Sequence, residues 1–209
     1  MVNSKVINVD RNNIEEVSKV LAEGFFYDDL YKMIIPDEEK RKKLLPIYFM
    51  AYVRTFYDIS KVIATSENYE GVALIYNSES IKRGFSFLGF MNFCFMNIRM
   101  LKYISFREYK DIMGKIKEAE EAVTGYKRED NHMHLELLVV GEKYRGKGYG
   151  RRLMEHIIEV IEKENRVCVL ETNNEDNISM YEKFGFTLVN KTSLKDGTNH
   201  YSMEYNGKI

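Results

Sequence analysis

Cysteine, proline and uninterrupted apolar runs are all scarce in these 209 residues. The two cysteines, Cys94 and Cys168, lie far apart and in no metal or redox spacing. That speaks against a disulfide framework and suits a reducing compartment. The two prolines are Pro36 and Pro46, and no Pro/Gly/Ser-rich linker divides the chain, so a single domain over residues 1–209 is expected. An excess of one charge is also missing: 31 Lys and Arg face 32 Asp and Glu, interspersed, which offers no general attraction to nucleic acid. The membrane-like candidate is the Phe- and Met-rich stretch 85–101. Ser86, Asn92, Asn97 and Arg99 interrupt it, and it falls short of a bilayer span, so it reads as a buried or pocket-lining segment. Residues 1–10 are short and mixed, without a signal-peptide pattern. These absences lead us to expect a cytoplasmic protein with no membrane or nucleic-acid partner.

The most informative stretch runs from Leu135 to Gly150. An apolar strand of leucines and valines, a polar turn and three glycines (Gly146, Gly148, Gly150) lead into an amphipathic helix, whose buried side is Leu153, Met154, Ile157, Ile158 and Ile161. A glycine-dense strand-to-helix turn lets a ligand approach the backbone and aims the free N–H groups of the helix start at it. The helix dipole makes such a turn an anion site. Lys143, Arg145, Lys147, Arg151 and Arg152 add positive charge around it. The triphosphate loop G-x-x-x-x-G-K-[ST] is missed by one residue: Gly148 stands where a Mg²⁺-binding hydroxyl is required. The dinucleotide fingerprint fails as well, because the glycines fall as G-x-G-x-G. Arg145, Gly148 and Gly150 do fit R-x-x-G-x-G.

On that motif the chain resembles the GCN5-related N-acetyltransferase (GNAT) superfamily, whose motif A is Q/R-x-x-G-x-G/A. Tyr181-Glu182-Lys183-Phe184-Gly185-Phe186 is similar to a later signature of that family, a tyrosine in a short helix before Gly-Phe entering a strand. The resemblance covers about residues 131–205. It implies acetyl-CoA as cosubstrate, no metal, and a primary amine as acceptor. It also implies an acetyl-CoA-binding part at about 131–205 and an acceptor-shaping part at about 1–130.

Patterning predicts strands near 5–9, 61–65, 72–76, 131–140, 166–171, 186–192 and 200–205, with a hairpin around Glu67–Gly71 and a turn at Asp196-Gly197. It predicts helices from Asn13 to Gly24, over 37–57 with a kink or break at Pro46, from a Ser105/Glu108 capping box to Gly125, after the glycine turn ending at Gly150, and around 178–184. This order is α/β (α+β mixed): a central mixed sheet, mostly antiparallel, of six to seven strands with helices on both faces. By the resemblance, the two parallel strands near 131–140 and 166–171 splay apart to admit the cofactor.

The same resemblance assigns the cofactor's pyrophosphate to Arg145, Gly146, Lys147, Gly148, Tyr149, Gly150 and Arg151, and its pantetheine arm to the main chain of Leu138, Val139 and Val140. Asn174 and Asn177 compete for a further contact, and both suit a helix cap. By the resemblance Tyr181 is the candidate acid for the departing sulfur, and a phenol with pKa of about 10 is protonated at neutral pH. His132, His134, Glu136, Leu138 and Val140 share one strand face by a period of two, and the resemblance implies His134 and Glu136 as candidate bases. Glu171, closing the next strand, is a third. His132-x-His134 alone is too small a set for zinc.

The acceptor is a small molecule or a peptide amine. Phe25–Asp29 and the 85–101 segment are the candidates to shape its pocket, and self-association as a homodimer stays open. Two other readings compete: a non-catalytic acyl-CoA-binding module of the same fold, and a nucleoside-triphosphate-dependent enzyme that Gly148 disfavours.

Overall fold

The structure is a computed structural model that describes residues 6–82, 87–123, 131–195 and 197–207. The expected helix stop at Gly125, the beginning of the Phe/Met segment with Ser86, and Asp196 of the expected turn lie outside the described residues.

Seven strands form one sheet: β1 (Ile7–Asn8), β2 (Ser60–Ala64), β3 (Gly71–Asn77), β4 (Met133–Val140), β5 (Cys168–Thr172), β6 (Thr187–Ser193) and β7 (Asn199–Tyr205). Their order across the sheet is β1-β2-β3-β4-β5-β7-β6. Every neighbouring pair is antiparallel except β4 and β5. The helices are α1 (Ile14–Gly24), α2 (Asp29–Ile34), α3 (Glu38–Phe56), α4 (Ser78–Lys82), α5 (Phe87–Met100), α6 (Phe106–Val123), α7 (Tyr149–Glu164) and α8 (Asp176–Glu182). Apolar side chains of α1, α3, α5 and α6 pack on one face of the sheet, with Val72, Leu74, Leu137 and Val139 beneath them. On the other face α7 lays Leu153, Met154, Ile157 and Ile161 against Ala73, Ile75, Met133 and Leu135. The mixed sheet with helices on both faces is therefore the observed architecture.

Local chemistry accounts for the helix limits. Asp28 and Asp37 cap α2 and α3 by accepting from the amides of Leu30 and Lys40. Ser105 and Glu108 form the expected capping box: the Ser105 amide donates to Glu108 at 2.8 Å and the Glu108 amide to Ser105 Oγ at 3.3 Å. Pro46 does not divide α3, which runs through it from Glu38 to Phe56. The ring removes one helical donor, and packing of Leu44, Leu45, Phe49 and Val53 in the core offsets that loss.

Two expectations need correction. The Phe/Met segment is a helix over its described part, and only some of it is buried: Met96 and Met100 enter the core, while Phe95 and Ile98 are 58% and 60% exposed. The strict alternation along β4 also fails. Leu74 pairs with Leu137 and Ile75 with Leu135, so Glu136 is an extra residue in the ladder. Past this bulge the faces exchange: Met133, Leu135 and Leu138 pack on the α7 side, Leu137 and Val139 on the α3 side.

Splaying of the parallel strands is visible in the register. Met133, His134 and Leu135 pair with Cys168, Val169 and Leu170, and there the ladder stops. From Glu136 onward β4 has no β5 partner.

The end of α1 crosses β4 closely enough to demand a glycine. A Cβ on Gly24 would lie 1.7 Å from Val139 Cγ2. Gly24→Ala should therefore lower unfolding free energy by about 1–3 kcal/mol. Urea denaturation checks this, and an unchanged midpoint would contradict the packing.

Candidate active site

A cavity of about 590 Å³ opens where β4 and β5 part. His134, Glu136 and Leu138 line it from β4, Glu171 and Thr172 from β5, Asn177 and Tyr181 from α8, and His200 from β7. Its far wall comes from α2, α3 and α6.

The bulge at Glu136 sets the chemistry at the mouth of the gap. His134 and Glu136 stay on the α3 side of the sheet, and His134 Nε2 lies 2.8 Å from Glu171 Oε2 and 3.3 Å from Glu136 Oε2. Burial by itself would push the His134 pKa down. The carboxylates of Glu171 and then Glu136 outweigh it, and the net direction is up from 6.5. Tyr76 stacks parallel on the His134 ring, with centroids 4.9 Å apart. The hydroxyl of Tyr52 donates to Glu136 Oε1, and that of Tyr76 also bonds Glu136. Burial, followed by the Glu136 charge, holds both phenols well above their ordinary pKa, so they act as donors.

Tyr181 is buried beside Phe186, and burial pushes its pKa up to about 12. It therefore stays protonated across the neutral range. His200 is 4% exposed, its Nε2 has no partner, and burial lowers its pKa.

The glycine turn lies apart from this cavity, beyond the end of β4. Gly146 and Gly148 take left-handed conformations with φ of 74° and 85°, and a Cβ on either would meet open space. Gly148 is the N-cap of α7, and no side chain caps the helix. Its first amides consequently face outward without an intrahelical partner.

Residues 103–186 match the family model described as acetyltransferase (GNAT) family. That part of the chain is similar to the GNAT acetyltransferases. No curated protein matches the chain. Solved structures share the fold over nearly the whole length. A Corynebacterium glutamicum protein described as histone acetyltransferase HPA2 and related acetyltransferase has a TM-score of 0.68 at 16% identity, over 98% of this chain and 97% of that one. Arylalkylamine N-acetyltransferase 2 from Aedes aegypti has a TM-score of 0.60 at 16% identity, over 97% and 98%. An N-acetyltransferase from Staphylococcus aureus has 0.59 at 16%, over 96% and 99%.

Within this fold the cavity brings together His134, Glu136, Glu171, Asn177 and Tyr181. Asn174 is not among its lining residues. It is exposed and accepts from the Asp176 amide at 3.0 Å, whereas Asn177 donates to Thr172 Oγ1 inside the cavity. Leu138 and Val140 do not share the face of His134 and Glu136, because the bulge turns them toward α7: Leu138 packs with the α7 core, and a Cβ on Gly150 would touch Val140 Cγ2 at 3.4 Å. Arg151 is engaged with Glu155 at 2.8 Å, and Lys147 donates to the Lys143 carbonyl at 3.0 Å. Among the described residues no group of three or more His, Cys, Asp or Glu is arranged to hold a metal ion.

Sequence reasoning missed Tyr31, Tyr48, Tyr52, Tyr76 and His200 as wall residues. One signal was available: Tyr48, Tyr52 and Phe56 recur every four residues and so share one side of α3.

The raised His134 pKa gives a pH-dependent stability with a definite sign. Its contribution is complete below about 6.5, the unfolded value, and disappears as pH rises through the higher folded-state value. Wild type should therefore exceed His134→Gln in stability most at and below that pH, with the gap shrinking above it. Urea unfolding of both proteins across this window checks the sign, and a gap that widened with pH would refute the charge arrangement.

Proposed function

We propose that the protein transfers the acetyl group of acetyl-CoA directly to a primary amine. The observation that carries this reading is the cavity at the strand gap, which joins a buried, protonated tyrosine to a histidine held between two carboxylates. The residues fit the cosubstrate at both ends. The uncapped start of α7 and the open left-handed glycines suit a pyrophosphate, and the unpaired edge of β4 from Leu138 to Val140 suits an extended amide-bearing arm. Bound there, acetyl-CoA supplies a thioester carbonyl, so that a C–N bond forms with the amine as the C–S bond breaks.

An ammonium must lose a proton before its nitrogen can attack. Glu136 is the best receiver: its side chain is 24% exposed, against 11% for His134 and 13% for Glu171. His134 and Glu171 then stand behind it to pass the proton on, directly or through water. Tyr181 would donate its phenolic proton to the departing sulfur and recover one from solvent. Arg145, Gly146, Lys147, Gly148, Tyr149, Gly150 and Arg151 would hold the diphosphate, with Asn177 a nearer contact to the arm than Asn174. The free thiols of Cys94 and Cys168 agree with a cytoplasmic setting.

Two variants separate binding from chemistry. Gly148→Glu places a carboxylate at a left-handed position facing the anion site, and acetyl-CoA affinity should fall by about tenfold to a hundredfold or more. Isothermal calorimetry reads this, and unchanged affinity would refute the placement of the pyrophosphate. Tyr181→Phe should leave that affinity within about twofold while kcat drops by roughly 10²–10⁴. Undiminished thiol release in a steady-state assay would remove Tyr181 from the acid role.

A further inference from the structure

A continuous band of rings runs along the cavity. Phe25, Tyr31, Tyr48, Tyr52, Phe56 and Tyr76 follow one another with centroids 4.4–6.1 Å apart, all but Phe56 lining the cavity, and the band ends on His134. Glu136 sits against this band, bonded to Tyr52 and Tyr76. Phenol faces beside a carboxylate attract an ammonium and tolerate hydrocarbon next to it. Farther in, the same cavity is lined by Ile34, Ile35, Met100, Ile112 and Ile116, from α2, the residue after it, α5 and α6.

We infer that the acceptor is a monoamine on a hydrocarbon or aryl body, its nitrogen entering as ammonium at the Tyr48–Tyr52–Glu136 corner and its body filling the aliphatic compartment between α2 and α6. This rests on the acetyl-transfer reading and narrows its substrate. Three further observations support it. Of the other two acids lining the cavity, Glu171 is paired with His134 at 2.8 Å, and the carboxyl of Asp28 caps α2 by accepting the Leu30 amide at 3.0 Å, with burial raising its pKa. A second ammonium, as in a polyamine, would meet only carboxylates already engaged by a helix cap or by His134. The isoleucine and methionine walls offer few partners for peptide amides, whose burial without hydrogen bonds is costly. His200, a cavity-lining residue whose pKa burial lowers, does not repel an entering cation.

The test is a thiol-release assay on the full chain with acetyl-CoA. Its acceptor panel holds butylamine, hexylamine, octylamine, phenethylamine, spermidine, a lysine-containing peptide and an aminoglycoside. The expected result is turnover of the alkylamines and phenethylamine, with kcat/KM rising roughly three- to fourfold per added methylene until the compartment is full. Ile116→Phe, which shortens the compartment, should raise KM for octylamine at least fivefold. KM for butylamine and for acetyl-CoA should stay within twofold. The wild-type chain-length series stands whether or not that variant folds. Turnover of spermidine, peptide or aminoglycoside with no dependence on hydrocarbon length overturns the acceptor class and leaves acetyl transfer intact. Acetyl-CoA binding with no thiol release from any amine overturns the transfer reading and this inference with it.

Discussion

Hydrogen bonding between β4 and β5 ends at Leu135 and Leu170, and one residue later β4 bulges at Glu136 against β3. The candidate site follows from this paired irregularity. A parallel ladder continued to Val140 would close the gap, and an unbulged β4 would keep one face throughout. Interrupted here, the strand leaves main-chain groups free along one edge and turns Glu136 toward α3 with His134. Strand geometry of about 3.3 Å per residue puts Val140, where the glycine turn approaches, roughly 13 Å from Glu136. One strand therefore links the His134–Glu136 cluster with the glycine turn.

Placing ionisable groups in that gap is costly unless they satisfy one another. His134 would lose its proton to burial if Glu171 and Glu136 did not stand at 2.8 and 3.3 Å. The carboxylate of Glu136 is in turn bonded by Tyr52 and Tyr76, whose own burial keeps them protonated. Such a network is stable only as a whole, since removing one member strands a charge in a poorly solvated place. Its partners come from α3, β3, β4 and β5, so the packing of four elements fixes one small cluster.

The helical face over the site has a different logic. Tyr48 and Tyr52 on α3, with Tyr31 on α2, present rings to the cavity, while Leu44, Leu45 and Val53 fill the core. Aromatic rings serve both purposes at once, burying apolar area and keeping a polar tip available. That dual use is why this region reads as ordinary core in sequence and yet forms a cavity wall when folded.

Legibility in the sequence followed the range of the interactions. The glycine turn, the α7 face of Leu153, Met154, Ile157 and Ile161, the Ser105/Glu108 box and the β2–β3 hairpin all arise between residues close along the chain, and each was readable. His134, Glu136, Glu171 and Tyr181 could be nominated, because each carries suitable chemistry on a recognisable element. The pairing of His134 with Glu171, the reversal of faces after Glu136 and the joining of Tyr31, Tyr48, Tyr52 and Tyr76 into one wall could not. A bulge is a property of two strands in register, and a cavity wall belongs to elements that meet only after the chain has packed. Periodicity assigns a residue to a side of its own helix or strand. It carries no information about which distant element will cover that side.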